Sequence, residues 1–249
     1  MGRSWYDPRN ELTRSIARPI FCHNEKSRQS LLASPRVLQQ EIDLSVVKRW
    51  LKRCSSNHGV ACRSTGNPVD GLKVINCRNL TVEKARPSIP YAALSYVWGG
   101  VESAQVCTPS DDAVPLPEDL PKTIRDAITV CNGVHTPYLW VDSLCIDQGN
   151  SKEITDQINQ MSSIYKGARF TIVAATGKDS NAGLPGVNDS KRSTQPVANV
   201  GKLQLISTMR PPIYAIPESI WASRGWTLQE AVLSHRRLVF TDDQLYFEC

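Results

Sequence analysis

Three segments of the chain carry the side chains best suited to contact a ligand or act on one. Ser95-Tyr96-Val97-Trp98-Gly99-Gly100 ends an apolar run in a turn whose glycines let a backbone approach a ligand. The same residues could equally serve only to shape that turn. Asp142-Ser143-Leu144-Cys145-Ile146-Asp147-Gln148 is unusually polar for the end of an apolar strand. Asp142 and Asp147 suit turns and helix caps as well as a binding site. Cys145 as a nucleophile needs a partner base, and no histidine is near it in sequence, which favours core packing. Arg224-Gly225-Trp226-Thr227-Leu228-Gln229-Glu230 sets Trp226 and Glu230 four residues apart, on one helical face. Trp226 reads as a core anchor or a stacking platform, and Glu230 as a site carboxylate or an ordinary partner of Arg224 or Arg236.

A fourth constellation has metal-ligand character. Cys54-x3-His58-x3-Cys62 supplies two thiols and an imidazole, with Cys22, His23 or Cys77 as a conceivable fourth ligand. Structural zinc sites more often use Cys-x2-Cys or His-x3-His knuckles, so the preferred reading is a helix end followed by a turn, with no metal.

The elements that would position these groups follow from periodicity. Residues 1–42 show little of it and read as an irregular basic leader. Asp43 can cap a helix with Leu44, Val47, Trp50, Leu51 and Cys54 on one face and four basic residues near its last turns. Leu72–Cys77 reads as a strand. Tyr91–Tyr96 is a buried strand, Leu120–Cys131 an amphipathic helix opened by Pro121, and Tyr138–Val141 the next strand. Asn150 and Glu153 have capping-box spacing ahead of a helix carrying Ile154, Ile158, Met161, Ile164 and Tyr165. Arg169–Ala175 is a further apolar strand. Residues 176–217, rich in Gly, Pro, Ser and Asn, form a long excursion with one strand at Leu203–Ser207; a helix over Ala222–Ser234 and a hairpin turning at Asp242-Asp243 complete the chain. Strands alternating with helices predict an α/β fold, a doubly wound and mainly parallel sheet with helices on both faces. An N-terminal helix and strand and a C-terminal hairpin extend it. Ligands of such sheets bind beyond the carboxyl ends of the strands, where the three polar segments fall.

Composition narrows the function classes. The 249 residues are 41% hydrophobic and 21% charged, enough for a substantial core without staples. The expected organisation is the leader, 1–42, and a single domain, 43–249. The N-terminus has no apolar signal region and no apolar run approaches the ~20 residues of a bilayer span, so a cytoplasmic protein is expected. The eight cysteines are scattered and a disulfide framework is not expected. The net charge of +5 is concentrated in residues 1–60, which hold 11 Lys or Arg against 5 Asp or Glu. No aromatic-interleaved basic stripe or recognition helix follows, so nucleic-acid binding is the weakest reading.

The three polar segments also carry a resemblance. Tyr91-Ala-Ala-Leu-Ser-Tyr-Val-Trp-Gly99, Leu139-Trp-Val-Asp-Ser-Leu-Cys-Ile-Asp-Gln148 and Ser223-Arg-Gly-Trp-Thr-Leu-Gln-Glu230 resemble the three signature blocks of the heterokaryon-incompatibility (HET) domain. The likeness covers about residues 90–240, and 43–80 more loosely. HET domains are remotely similar to Toll/interleukin-1 receptor (TIR) domains, which have a flavodoxin-like fold. Ser223-Arg-Gly-Trp226 with Leu228-Gln-Glu230 resembles the plant TIR pattern of Ser, Trp and a helical Glu. The resemblance implies a fungal cell-death effector in self/non-self recognition, with Glu230 serving cleavage of the nicotinamide–ribose bond of NAD. NAD would be substrate, with no cofactor, and Ser95, Trp98, Gly99, Asp142, Cys145, Asp147, Gln148, Arg224 and Trp226 would form the binding site. It also implies homo-oligomerisation on activation and an incompatibility partner protein. The alternative it leaves is a self-associating signalling module without catalysis.

Overall fold

The computed structural model describes residues 20–23, 37–64, 69–100 and 113–249, without the side chains of 20–23, Trp226 and Leu228. Most of the leader and the polar loop 101–112 lie outside the described residues. Its one described element corrects the expectation of irregularity: β1, Ile20–His23, pairs antiparallel with β9, Leu203–Ser207, in a three-stranded sheet completed by β8, Val197–Val200. Residues from the leader and the excursion supply each other's backbone partners, which neither reveals locally.

Among the described residues the main sheet has eight strands. Its centre is β4 (Ala92–Ser95), β6 (Tyr138–Trp140), β7 (Phe170–Ala174) and β10 (Arg237–Phe240), in the order β6-β4-β7-β10 and all parallel. The margins are antiparallel. β11 (Leu245–Glu248) pairs with β10 beyond one side, and β2 (Lys73–Asn76), β3 (Thr81–Lys84) and β5 (Val114–Pro115) extend the other. The parallel core meets the expectation; the sheet as a whole is mixed, because connections as short as Cys77–Leu80 can join only antiparallel neighbours. Every residue of β4 and β7 is buried, so both faces of the sheet centre are covered.

The helices form where caps and apolar spacing coincide. Asp43 accepts a hydrogen bond from Ser45 N and starts α1, Leu44–Asn57. This helix runs past Cys54, so its basic residues lie mid-helix and not in the last turn, a correction to the expected dipole pairing. α2 (Lys122–Gly133) begins after Pro121 and packs on α1, β4 and β6. A short α3 (Asp142–Cys145) follows β6 directly. In α4 (Ser151–Gly167), Asn150 accepts from Glu153 N as expected, but the Glu153 carboxylate turns to Lys73 Nζ at 2.7 Å and Asp147 N at 3.1 Å, so only half of the capping box forms. α5 (Pro212–Ala215) and a 3-10 turn at Trp221–Ser223 lead into α6 (Gly225–Leu233), which packs against α4. The core centres on Leu94, Trp140, Tyr165, Phe170 and Ile172, with Trp140 and Tyr165 edge-to-face at 5.7 Å between ring centroids. No helix among the described residues is long and apolar enough to cross a membrane.

The long excursion is tied to this core. Asp126 on α2, 1% exposed, accepts hydrogen bonds from Leu184 N at 2.8 Å, Asn188 Nδ2 at 2.7 Å and Ser190 Oγ at 2.5 Å. Thr123 Oγ1 accepts from Gly183 N at 3.1 Å. A carboxylate inside an apolar helix face thus organises residues 183–190, which a periodicity reading treats as loop.

Candidate active site

The turn after β4, the start of α3 and the segment entering α6 converge on a cavity of about 270 Å³ beyond the carboxyl ends of the parallel strands. Asp142, Gln148, Arg224 and Glu230 give it four polar groups; Trp98, Ile146, Ile154, Ile158 and Met161 give it apolar walls. The α4 stripe is therefore divided: Ile164 and Tyr165 enter the core, while Ile154, Ile158 and Met161 line the hollow, Ile158 being 44% exposed.

Glu230 sits at the back of this cavity, 8% exposed. Ser95, the last residue of β4, donates its hydroxyl to Glu230 Oε2, and Trp221 Nε1 donates to Ser95 Oγ at 2.7 Å. Burial raises the Glu230 pKa above the ordinary carboxylate range, opposed by the Ser95 hydrogen bond, the Arg224 charge and a hydrogen bond from Tyr165. Asp142 accepts from Trp98 Nε1 at 3.1 and 3.2 Å and from Ser143 N at 2.8 Å. Its pKa is pushed up to about 7 by burial and then by the Glu230 charge, against Ser143 N, Trp98 and Arg224. Arg224, whose Nη1 donates to the Tyr96 carbonyl at 2.5 Å, is the cation of the site. The arrangement holds two carboxyl groups of elevated pKa beside one guanidinium in a partly desolvated hollow. Asp142 can exchange a proton near neutral pH, and an ionised carboxylate in such a hollow can stabilise a developing cation.

The raised Asp142 pKa has a consequence for stability. The folded chain retains this proton up to about pH 7, whereas the unfolded carboxyl releases it near 3.8. The group's contribution is fully present below pH 3.8 and is lost as pH rises towards 7. We therefore expect Asp142→Asn, which keeps an oxygen to accept from Trp98 or Ser143, to flatten the decline of the thermal midpoint between pH 4 and 7 and to stabilise the chain by about 1–3 kcal/mol at pH 7.5. Parallel midpoint-versus-pH curves for the two proteins would contradict the assignment.

The structure brings Ser95, Trp98, Asp142, Gln148, Arg224 and Glu230 together. Ser95 stands behind Glu230 and not in the cavity wall, and three further expected contact residues, Gly99, Cys145 and Asp147, do not line the cavity. Gly99, at φ +72°, makes its close approach to the protein itself: a Cβ there would lie 2.2 Å from Asp179 Cβ and 2.8 Å from the Lys178 carbonyl. Cys145 is buried beneath the site, with its thiol pushed up to about 12 chiefly by burial, so it is packing. Asp147 is a turn former, accepting from Gly149 N at 2.9 Å. Gln148 is oriented by donating to the carbonyls of Asp142 and Ile146, each at 3.2 Å. Trp226 lies on α6, and its side chain is outside the described residues. Sequence reasoning missed the site roles of Trp221 and Tyr165; the signal for Trp221 was a tryptophan two residues ahead of the Ser223–Glu230 block.

Comparisons with known proteins address the same segments. A family model described as heterokaryon incompatibility protein (HET) matches residues 91–230, more than half of the chain. The chain is 27% identical over 143 residues to vegetative incompatibility protein HET-E-1 of Podospora anserina, covering 57% of this chain and 9% of that protein. It is 25% identical over 126 residues to heterokaryon incompatibility protein 6, OR allele, of Neurospora crassa, covering 47% of this chain and 17% of that one. The chain thus spans less than a fifth of the length of these relatives. No solved structure matches. The matched region ends at Glu230 and contains every polar residue of the cavity wall.

Proposed function

Because the chain belongs to the heterokaryon incompatibility (HET) family, we propose that it acts in fungal incompatibility as a cell-death effector that hydrolyses NAD at the nicotinamide–ribose bond. The observation carrying this reading is the buried Ser95–Glu230 pair at the wall of a cavity that also holds Asp142 and Arg224. The fold is consistent with it. Numbered by sequence, the four parallel strands run 2-1-3-4, the order of flavodoxin-like sheets, which supports the likeness to TIR domains. A cavity of about 270 Å³ lies just below the roughly 300–1,000 Å³ range of ligand pockets, so it suits the nicotinamide riboside half of NAD, with the adenylate outside.

In the proposed reaction, the nicotinamide nitrogen leaves with the bonding pair and becomes neutral. The positive charge moves to C1′ of the ribose, as in glycoside cleavage. The Glu230 carboxylate, held by Ser95 and Tyr165, stabilises that charge from a low-dielectric wall. Water then adds to C1′ and gives its proton to Asp142 or Glu230. Trp98 and the α4 side chains exclude further solvent, and Arg224 is the partner for a phosphate of the dinucleotide.

The test is direct. Purified chain incubated with NAD should release nicotinamide with formation of ADP-ribose. A second reading, a self-associating module without turnover, is favoured by the exposed apolar Ile213, Ile220 and Val232 around α5 and α6. Concentration-dependent assembly with no nicotinamide released, at any protein concentration, selects that reading and removes the enzymatic one.

A further inference from the structure

Four side chains with metal-binding atoms meet away from the cavity. Cys54 lies in the last turn of α1, His58 caps that helix, Cys62 ends the following 3-10 turn of Gly59–Cys62, and Cys249 follows β11. Their Sγ and imidazole nitrogen atoms all lie within 4.8 Å of one another. His58 Nδ1 is 3.8 Å from Cys62 Sγ and 3.3 Å from Cys249 Sγ. The shift from α-helix to 3-10 turn at Gly59, φ +49°, folds Cys62 back towards Cys54 and His58. Cys249, 191 residues from His58, supplies the fourth corner.

We propose that this cluster is a structural zinc site of the Cys3His type. A tetrahedral zinc with Zn–S of about 2.3 Å and Zn–N of about 2.0–2.1 Å spaces its ligand atoms about 3.5–3.8 Å apart, close to what is already present. Two ligands are buried and two exposed, so the ion has a protected seat and a path from solvent.

The charge around the cluster points the same way. Three thiolates and a neutral imidazole on Zn2+ carry a net charge of −1. Arg236, 7% exposed, donates from Nε to Cys54 Sγ at 3.1 Å and from its other nitrogens to the Arg169 carbonyl and Ser55 Oγ. No carboxylate among the described residues forms an ion pair with it. An unmatched buried cation is costly unless an anion is near, and the metal-thiolate centre is that anion. Zinc would fasten α1 to the edge strand β11 and, through Arg236, to the connection between α6 and β10.

The experiment is metal analysis of the purified chain kept reduced, followed by cobalt titration of the metal-free protein. One zinc per chain is expected, with tetrahedral cobalt bands and thiolate-to-cobalt charge transfer saturating at one equivalent. Chelation should lower the thermal midpoint by about 5–10 °C. Cys249→Ser and Cys62→Ser should each lose the thiolate cobalt spectrum or bind at least tenfold more weakly, while Cys131→Ala, a thiol outside the cluster, keeps it. Absence of metal and of a cobalt–thiolate spectrum in the unmodified chain overturns the proposal even if the variants fail to fold. So does a disulfide that peptide mapping under non-reducing conditions places between two cysteines of the cluster, as distinct from one between Cys77 and Cys131.

Discussion

Glu230→Gln is expected to reduce nicotinamide release from NAD by at least about 10²–10³-fold, with little change in stability. The substitution is isosteric, and its amide oxygen can still accept the Ser95 hydroxyl that now donates to Glu230. Trp221 keeps its own bond to Ser95, so the wall of the cavity should hold its shape. Only the negative charge goes, and that charge is what a cationic ribose would meet. Removing it also removes the repulsion that helps to hold the Asp142 pKa near 7, so the Asp142 titration should move down in the variant. That second readout separates an electrostatic loss from a misfolded site. Nicotinamide release at the unmodified rate from a folded Gln variant would remove Glu230 from the reaction.

The largest stability effect is expected at Asp126. Replacement by Ala should cost about 3–5 kcal/mol and lower the thermal midpoint by about 10 °C. The carboxylate lies almost wholly buried on α2 and receives donors from three residues of the excursion. Truncation leaves the Leu184 amide and the Ser190 hydroxyl without an acceptor where water does not readily replace it, and each such donor costs about 1–3 kcal/mol. Asp126→Asn should lose less, because one oxygen remains while the new NH2 group faces donors. Chemical denaturation of both variants checks the order. A loss below about 1 kcal/mol in the Ala variant would mean that residues 183–190 are held by other contacts.

The two halves of this account differ in how far they could be read from the chain. The parallel core was legible because Tyr91–Tyr96, Tyr138–Val141 and Arg169–Ala175 are continuous apolar runs separated by capped helical stripes. Ser95 and Asp142 were legible because each sits where an apolar strand ends, and Glu230 because it lies four residues from Trp226 on one face of a helix. The margins were legible in part: β2 and the β10–β11 hairpin were expected, whereas β3, only Thr81–Lys84, and, in the smaller sheet, β8, exposed along its length, lack the alternation that marks a half-buried strand. Gly99 and Asp147 show a different ambiguity. A turn glycine and a turn aspartate beside a ligand cavity look the same in sequence whether they contact the ligand or the protein, and here the Asp179 backbone and the Gly149 amide take them. The fourth corner of the cysteine–histidine cluster was invisible for a topological reason, since only the pairing of β11 with β10 brings Cys249 back to α1.

The measurement closest to the central claim is a crystal structure of Glu230→Gln soaked with NAD, in which the uncleaved dinucleotide can persist. The account predicts the nicotinamide ribose inside the cavity, its C1′ beside the residue 230 side chain, with Trp98 and Met161 against the ring and the pyrophosphate towards Arg224. Dinucleotide bound at saturation on another face of the protein, with this cavity empty, would contradict it.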